Sequence, residues 1–249
     1  MLNRRQVGVD LPRVAEHVVD MSDEAALERD AQQILAAHAV DSVFCTMGVG
    51  APSKSDAATL RRVDLDLPAA VARGAKAAGA SHFSLLTAVG ADAGATEDRF
   101  FKSRAGGGLY NQVKGRIEEV VHDLGFPSAA AFRPATLIGT ANTPAFFGWL
   151  APKLDGIMPA KFKSSHINTL AASMVAEAEA ALQRGQGIGK AEGAGQAGGI
   201  GAAGSGGVEG EKEGEGREEG ASGGSSWTVF EGANLREAYK MVPFPHGVL

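Results

Sequence analysis

The chain has 249 residues, 44% of them hydrophobic, and a formal net charge of −5 at pH 7. That is enough apolar material for one well-buried domain, and the acidic balance offers no basic face to displace counterions from phosphates, which excludes general nucleic-acid binding. The single cysteine, Cys45, excludes an internal disulfide and a cysteine metal cluster within one chain, and no stretch approaches the roughly 18 continuous apolar residues of a membrane span.

His17-Val18-Val19-Asp20 reads as a short strand, and Ser22-Asp23-Glu24 as the capped start of a helix over Ala25 to Ala37. A second strand, Asp41 to Met47, ends at Gly48 and a Gly/Pro/Ser loop. The helical stretch Ala57 to Ala78 follows, in which Pro68 predicts a break or a late start. Ser81 to Thr87 is a third strand, Leu109 to Asp123 an amphipathic helix, and Ala129 to Arg133 a fourth strand closed by Pro134. Strands alternating with helices imply right-handed crossovers, hence an α/β fold with a doubly wound parallel sheet covered on both faces. Beyond Pro134 the pattern loosens. Phe146 to Leu150 gathers aromatics where a substrate wall would lie, and His166 to Leu182 reads as a helix.

Residues 1–183 are therefore expected to form the main domain, 184–226 a disordered insertion of Gly, Ala, Ser and Glu, and 227–249 a returning strand (Trp227 to Glu231) and short helix (Asn234 to Tyr239) of that domain. Within the insertion, Gly193 to Gly198 satisfies G-x-G-x-x-G. Low-complexity flanks supply neither the strand that should deliver such a loop nor the helix that should begin in it, so the match is set aside. The six histidines show no ligand spacing, and no metal site is expected.

Tyr110-Asn111-Gln112-Val113-Lys114 puts a phenol and an ammonium on one helix face. The lysine charge should favour the phenolate and draw Tyr110 toward general acid/base work, with the Thr87 hydroxyl at the end of the preceding strand. Glu118, Glu119 and Asp123, on the same helix, read as solvated charges.

With these residues the chain resembles the short-chain dehydrogenase/reductases. More narrowly it is similar to their atypical, HIV-Tat-interacting-oxidoreductase-like branch. The match is carried by Asn3-Arg4-Arg5, Val18-Val19-Asp20, Val43 to Gly48, Val63-Asp64, His82 to Thr87, Gly90-Ala91-Asp92, Tyr110 to Gly115 and Phe132-Arg133-Pro134. The resemblance implies a Rossmann-like fold and an oxidoreductase acting on a small carbonyl or alcohol with NADP(H), NAD(H) remaining open. It implies that Arg4 and Arg5 grip an adenosine 2′-phosphate and that Asp20 lies near the adenine. Met47 and Gly48 would pass under the cofactor, Leu137 would flank the nicotinamide, Lys114 would bond the nicotinamide ribose, and Thr87, Tyr110 and Lys114 would be catalytic.

The family's opening strand and Gly-x-x-Gly-x-x-Gly turn have no counterpart in the sequence, Ala88 stands where relatives have a second serine, and the stretch before Tyr110 is longer and carries Gly106-Gly107-Gly108. The sequence is accordingly expected to derive from an incomplete gene model, with an exposed sheet edge where the first strand would pair. The alternative reading is a non-catalytic regulatory or protein-binding module of the same fold. A cytoplasmic location is expected, organelle targeting remaining open.

Overall fold

The computed structural model describes residues 1–9, 11–50, 52–96, 108–139, 159, 162–192, 225–231 and 234–235. The aromatic run 146–150, the glycine match 193–198 and most of the helix expected over 234–239 lie outside them.

The chain opens with strand β1 (Leu2–Asn3), which pairs in parallel with β2 (His17–Val18). Helix α1 (Glu24–Ala37) begins where the sequence predicts, because the Asp23 carboxylate accepts the amides of Ala25 and Ala26. After β3 (Ser42–Cys45) come a short 3-10 turn (Pro52–Lys54) and α2 (Ala57–Arg61), which runs without a gap through a π turn (Arg62–Asp66) into α3 (Leu67–Ala77). The expected break at Pro68 does not occur. The amide of Leu67 reaches back five residues to the Arg62 carbonyl, and the wider turn lets a residue without an N–H enter the first turn of α3.

Strands β4 (His82–Leu86) and β5 (Ser128–Arg133) flank α4 (Gly108–Asp123) in sequence. The two-residue strands β6 (Leu137–Ile138) and β7 (Ser165–His166) pair with each other, a ladder too short to leave a sequence pattern. Helix α5 (Ile167–Glu192) passes the predicted end at Leu182, so residues 184–192 of the segment expected to be disordered are helical. Finally β8 (Ser226–Glu231) joins the far side of β5.

The main sheet is all parallel in the order β3-β4-β5-β8. Alternation along the strands gives each face its own core. Val43, Cys45, Phe83, Leu85 and Ala129 pack under α1, α3 and α4, while Ala130 and Phe132 meet Leu170 and Met174 of α5 and Leu235. Phe132 stacks on Phe230 with ring centroids 4.7 Å apart, fixing the late return of β8. Of the described strands, only β4 pairs with β3, and Phe44, on the face that α5 covers elsewhere, is 42% exposed.

Candidate active site

The site gathers at the carboxyl ends of the strands, where open α/β sheets bind ligands. Helix α4 is held at its height by Gly115. A β-carbon there would run into the backbone of Asp92 and Ala93, and the Asp92 amide donates to the Asn111 carbonyl at 3.0 Å. This close approach sets the position of the whole stripe Tyr110, Lys114, Glu118.

Lys114 is buried, and its ammonium lies 2.7 Å from Oδ1 of the buried Asp64. The other carboxylate oxygen of Asp64 accepts the Val49 amide at 3.0 Å, just past the end of β3. Asp64 comes from the π turn, which breaks helical register where the carboxylate points inward, a kind of irregularity frequent at functional sites. Gly48 lies over the pair: a β-carbon on it would be 3.2 Å from Asp64 Oδ1 and 3.7 Å from Lys114 Nζ. Tyr110 shares the cluster, its ring centroid 5.9 Å from Lys114 Nζ.

These contacts reverse the expected effect on the phenol. Burial, and after it the Asp64 carboxylate, push Tyr110 up to about 12. Lysine is present as predicted, but its charge is neutralised by a carboxylate 50 positions earlier in sequence, so desolvation decides the direction.

Thr87 is buried, and its hydroxyl donates to Glu118 Oε1 at 2.6 Å and approaches the Phe132 carbonyl at 3.4 Å. Glu118 is also the partner of Arg133, which donates through Nε at 3.0 Å and through a second guanidinium nitrogen in a fork, with Glu231 3.6 Å away on the outer side. Glu118, expected in solvent, is thus 5% exposed and joins α4 to the ends of β4 and β5. A cleft of about 410 Å³ outside this cluster is lined by Asp92, Glu118, His122, Arg133 and Trp227 among others; Tyr110, Lys114 and Thr87 do not line it.

Arg4 and Arg5 are exposed just after β1. Asp20, after β2, accepts both the amide and the hydroxyl of Ser22, at 2.7 and 2.8 Å, which hold its carboxyl below the usual range. Met47 packs partly on the core, and Leu137, in β6, packs against the second core. The structure therefore brings Tyr110, Lys114 and Gly48 together through Asp64, and leaves Thr87 bonded to Glu118. Sequence reasoning gives neither Asp64 nor Glu118 a place in the site: Val63-Asp64 is singled out only within the resemblance, and the i, i+4, i+8 spacing of Tyr110, Lys114 and Glu118 is the signal for Glu118. Among the described residues no cluster of three or more His, Cys, Asp or Glu could hold a metal ion, and no helix is long and apolar enough to cross a membrane.

The parallel order and the site at its carboxyl edge define a Rossmann-like α/β protein. Solved structures agree on the fold. The UDP-glucose 4-epimerase of Thermotoga maritima superposes with a TM-score of 0.51 at 12% identity, covering 71% of this chain and 63% of that one. The enzyme WbmH of Bordetella bronchiseptica, solved with NAD+, gives 0.51 at 15% identity over 72% and 62%. The chain matches no protein-family model. In sequence it is 34% identical over 126 residues to the rat protein HTATIP2, covering 51% of this chain and 47% of the relative. It is 30% identical over 119 residues to FMP52-1, named as mitochondrial, of Scheffersomyces stipitis, covering 48% and 45%. Over that matched half the chain is similar to HTATIP2 and FMP52-1, and it spans about half the length of the curated relatives it matches.

Proposed function

We propose that this chain carries the proton-transfer site of an NADP(H)-dependent oxidoreductase that reduces a small carbonyl compound. The observation that carries the reading is the Tyr110–Lys114–Asp64 cluster under the bare backbone of Gly48, at the strand ends of a parallel sheet. The fit to a dinucleotide rests on residues present at both of its ends. Arg4 and Arg5 are exposed guanidinium forks suited to a 2′-phosphate, and Gly48 lacks the β-carbon that would crowd a flat group over Lys114. Among the described residues no strand runs through a Gly-x-x-Gly-x-x-Gly turn into a helix, so they offer no such cradle for the pyrophosphate.

A bound nicotinamide supplies hydride for the carbonyl carbon. Tyr110, with its phenol pushed up to about 12, is protonated at physiological pH and serves as the acid, passing its proton to the carbonyl oxygen. Lys114 then faces the resulting phenolate, and Asp64 is the positioning residue that keeps the ammonium in place. Thr87 acts as a strut through Glu118 rather than as a partner of the substrate oxygen.

The test is Tyr110→Phe in the full chain. NADPH binding should stay within about twofold while NADPH oxidation over a panel of aldehydes and ketones is abolished; retained turnover refutes the assignment. The commitment of the Thr87 hydroxyl to Glu118, next to Ala88, favours a second reading, a nucleotide-binding module without turnover. NADPH binding by the unaltered chain, with no panel compound reduced, would select it.

A further inference from the structure

We propose that His17 and His38 form a chelating site for a divalent transition-metal ion of the imidazole-preferring kind: copper, nickel or zinc. The two residues are 21 positions apart, so no sequence spacing announces them, yet their Nε2 atoms stand 3.1 Å from each other in an exposed contact. With metal–nitrogen bonds of about 2.0–2.1 Å, two ligands of one ion are separated by about 2.9 Å at a right angle and about 3.3 Å in a tetrahedron. The observed separation falls between these, and the rings are tilted by 60° with centroids 5.1 Å apart, so they meet through their nitrogen tips rather than by stacking.

Both imidazoles spring from fixed backbone. The His17 amide is bound to the Met1 carbonyl at 2.9 Å within the β1–β2 ladder. His38 ends α1, its amide bonded to the Ile34 carbonyl at 3.2 Å, and Ala39 follows at φ +46 with its own amide on Ala36. A left-handed residue without glycine is an uncommon device, and here it closes the helix immediately after the histidine. The last turn of α1 holds no basic residue, so the negative end of its dipole would be complemented by a cation at His38. Among the described residues no third His, Cys, Asp or Glu joins the pair, so solvent completes the coordination shell. The ion would tie β2 to the end of α1 and so fix the segment between them, which contains Asp20.

The competing account of the same contact is a direct hydrogen bond between the two imidazoles, and metal binding separates the two. Tag-free full-length protein is titrated with Zn²⁺ calorimetrically at pH 7.5 in a non-chelating buffer, and Cu²⁺ is added for electron paramagnetic resonance. One Zn²⁺ per chain is expected, with affinity falling at least tenfold in His17→Gln and in His38→Gln and unchanged in His122→Gln. Hyperfine coupling from two nitrogens on Cu²⁺ should fall to one in either single variant. Equal affinity in the unaltered chain and the two single variants, or coupling to one nitrogen in the unaltered chain, overturns the site. Both side chains are on the surface, so the substitutions test binding without unfolding the protein, which far-ultraviolet circular dichroism checks.

Discussion

Lys114 is both the candidate catalytic cation and half of a buried ion pair, and the second role governs what its substitution will do. Its side chain and that of Asp64 are only 5% and 2% exposed, at 2.7 Å. Removing one partner from such a pair strands the other charge in low dielectric, which costs about 3–5 kcal/mol, whereas removing both by apolar or neutral groups is often close to neutral. Lys114→Met and Asp64→Asn should therefore each destabilise by about 3–5 kcal/mol. The double variant strands neither charge and should lose much less than their sum, giving a coupling energy of at least about 3 kcal/mol. Urea denaturation of the four proteins, followed by circular dichroism, measures it. A coupling below about 1 kcal/mol, the value of an exposed pair, would refute the claim that the two charges depend on one another. It follows that loss of turnover in a Lys114 variant alone is no evidence for catalysis, and that Tyr110→Phe, which leaves the pair intact, is the diagnostic substitution.

Three further outcomes follow from the same geometry. His82 is fully buried between the Ser84 and Ser128 hydroxyls, and burial pushes its imidazole down to about 4, so below pH 6.5 only the unfolded chain takes the proton. This contribution is present above pH 6.5 and is lost as pH falls toward 4, about 2 kcal/mol of it between pH 7 and 5; a His82→Gln variant with the same pH slope as the unaltered protein in urea titrations would contradict it. Gly115→Ala must push α4 away from Asp92 and Ala93, so the melting temperature should fall by several degrees and turnover by more than the loss of folded protein accounts for; unchanged melting would refute the close approach. Thr87→Val removes a hydroxyl from Glu118 but leaves the Arg133 fork, costing about 1–2 kcal/mol; turnover at a temperature where the variant is folded should stay within a few-fold, and its loss would return Thr87 to the substrate oxygen.

The strands were legible because their apolar runs are interrupted by glycine, proline and polar turns: β3, β4, β5 and β8 each lie within or against the stretch that composition marks. What could not be read was anything fixed by the meeting of distant elements. Pro68 looked like a helix break because local chemistry forbids the α bond, and only the π turn before it, packed against α4, shows how the chain continues. Helix α5 runs to Glu192, beyond the buried Ala181, through Gly185, Gly187 and Gly189, residues that each oppose a helix and so leave no sign of it in the composition.

The same limit decides the site. Glu118 and Lys114 are ordinary helix residues by composition, and on an isolated helix both would be solvated. They become buried because the stripe they share with Tyr110 is the face on which α4 meets the sheet, drawn close by Gly115. Once that face is buried each charge must find a counter-charge, and the partners are Asp64 in a π turn and Arg133 at the end of β5, 50 positions before and 15 after. The state of the phenol then follows from burial and those pairings rather than from its neighbour in the motif: with Lys114 paired to Asp64, burial dominates and the Tyr110 phenol stays protonated. A Tyr-x-x-x-Lys spacing therefore identifies which groups share a face. The fold then decides the state of the phenol, by burial first and by the carboxylate it places beside the lysine second.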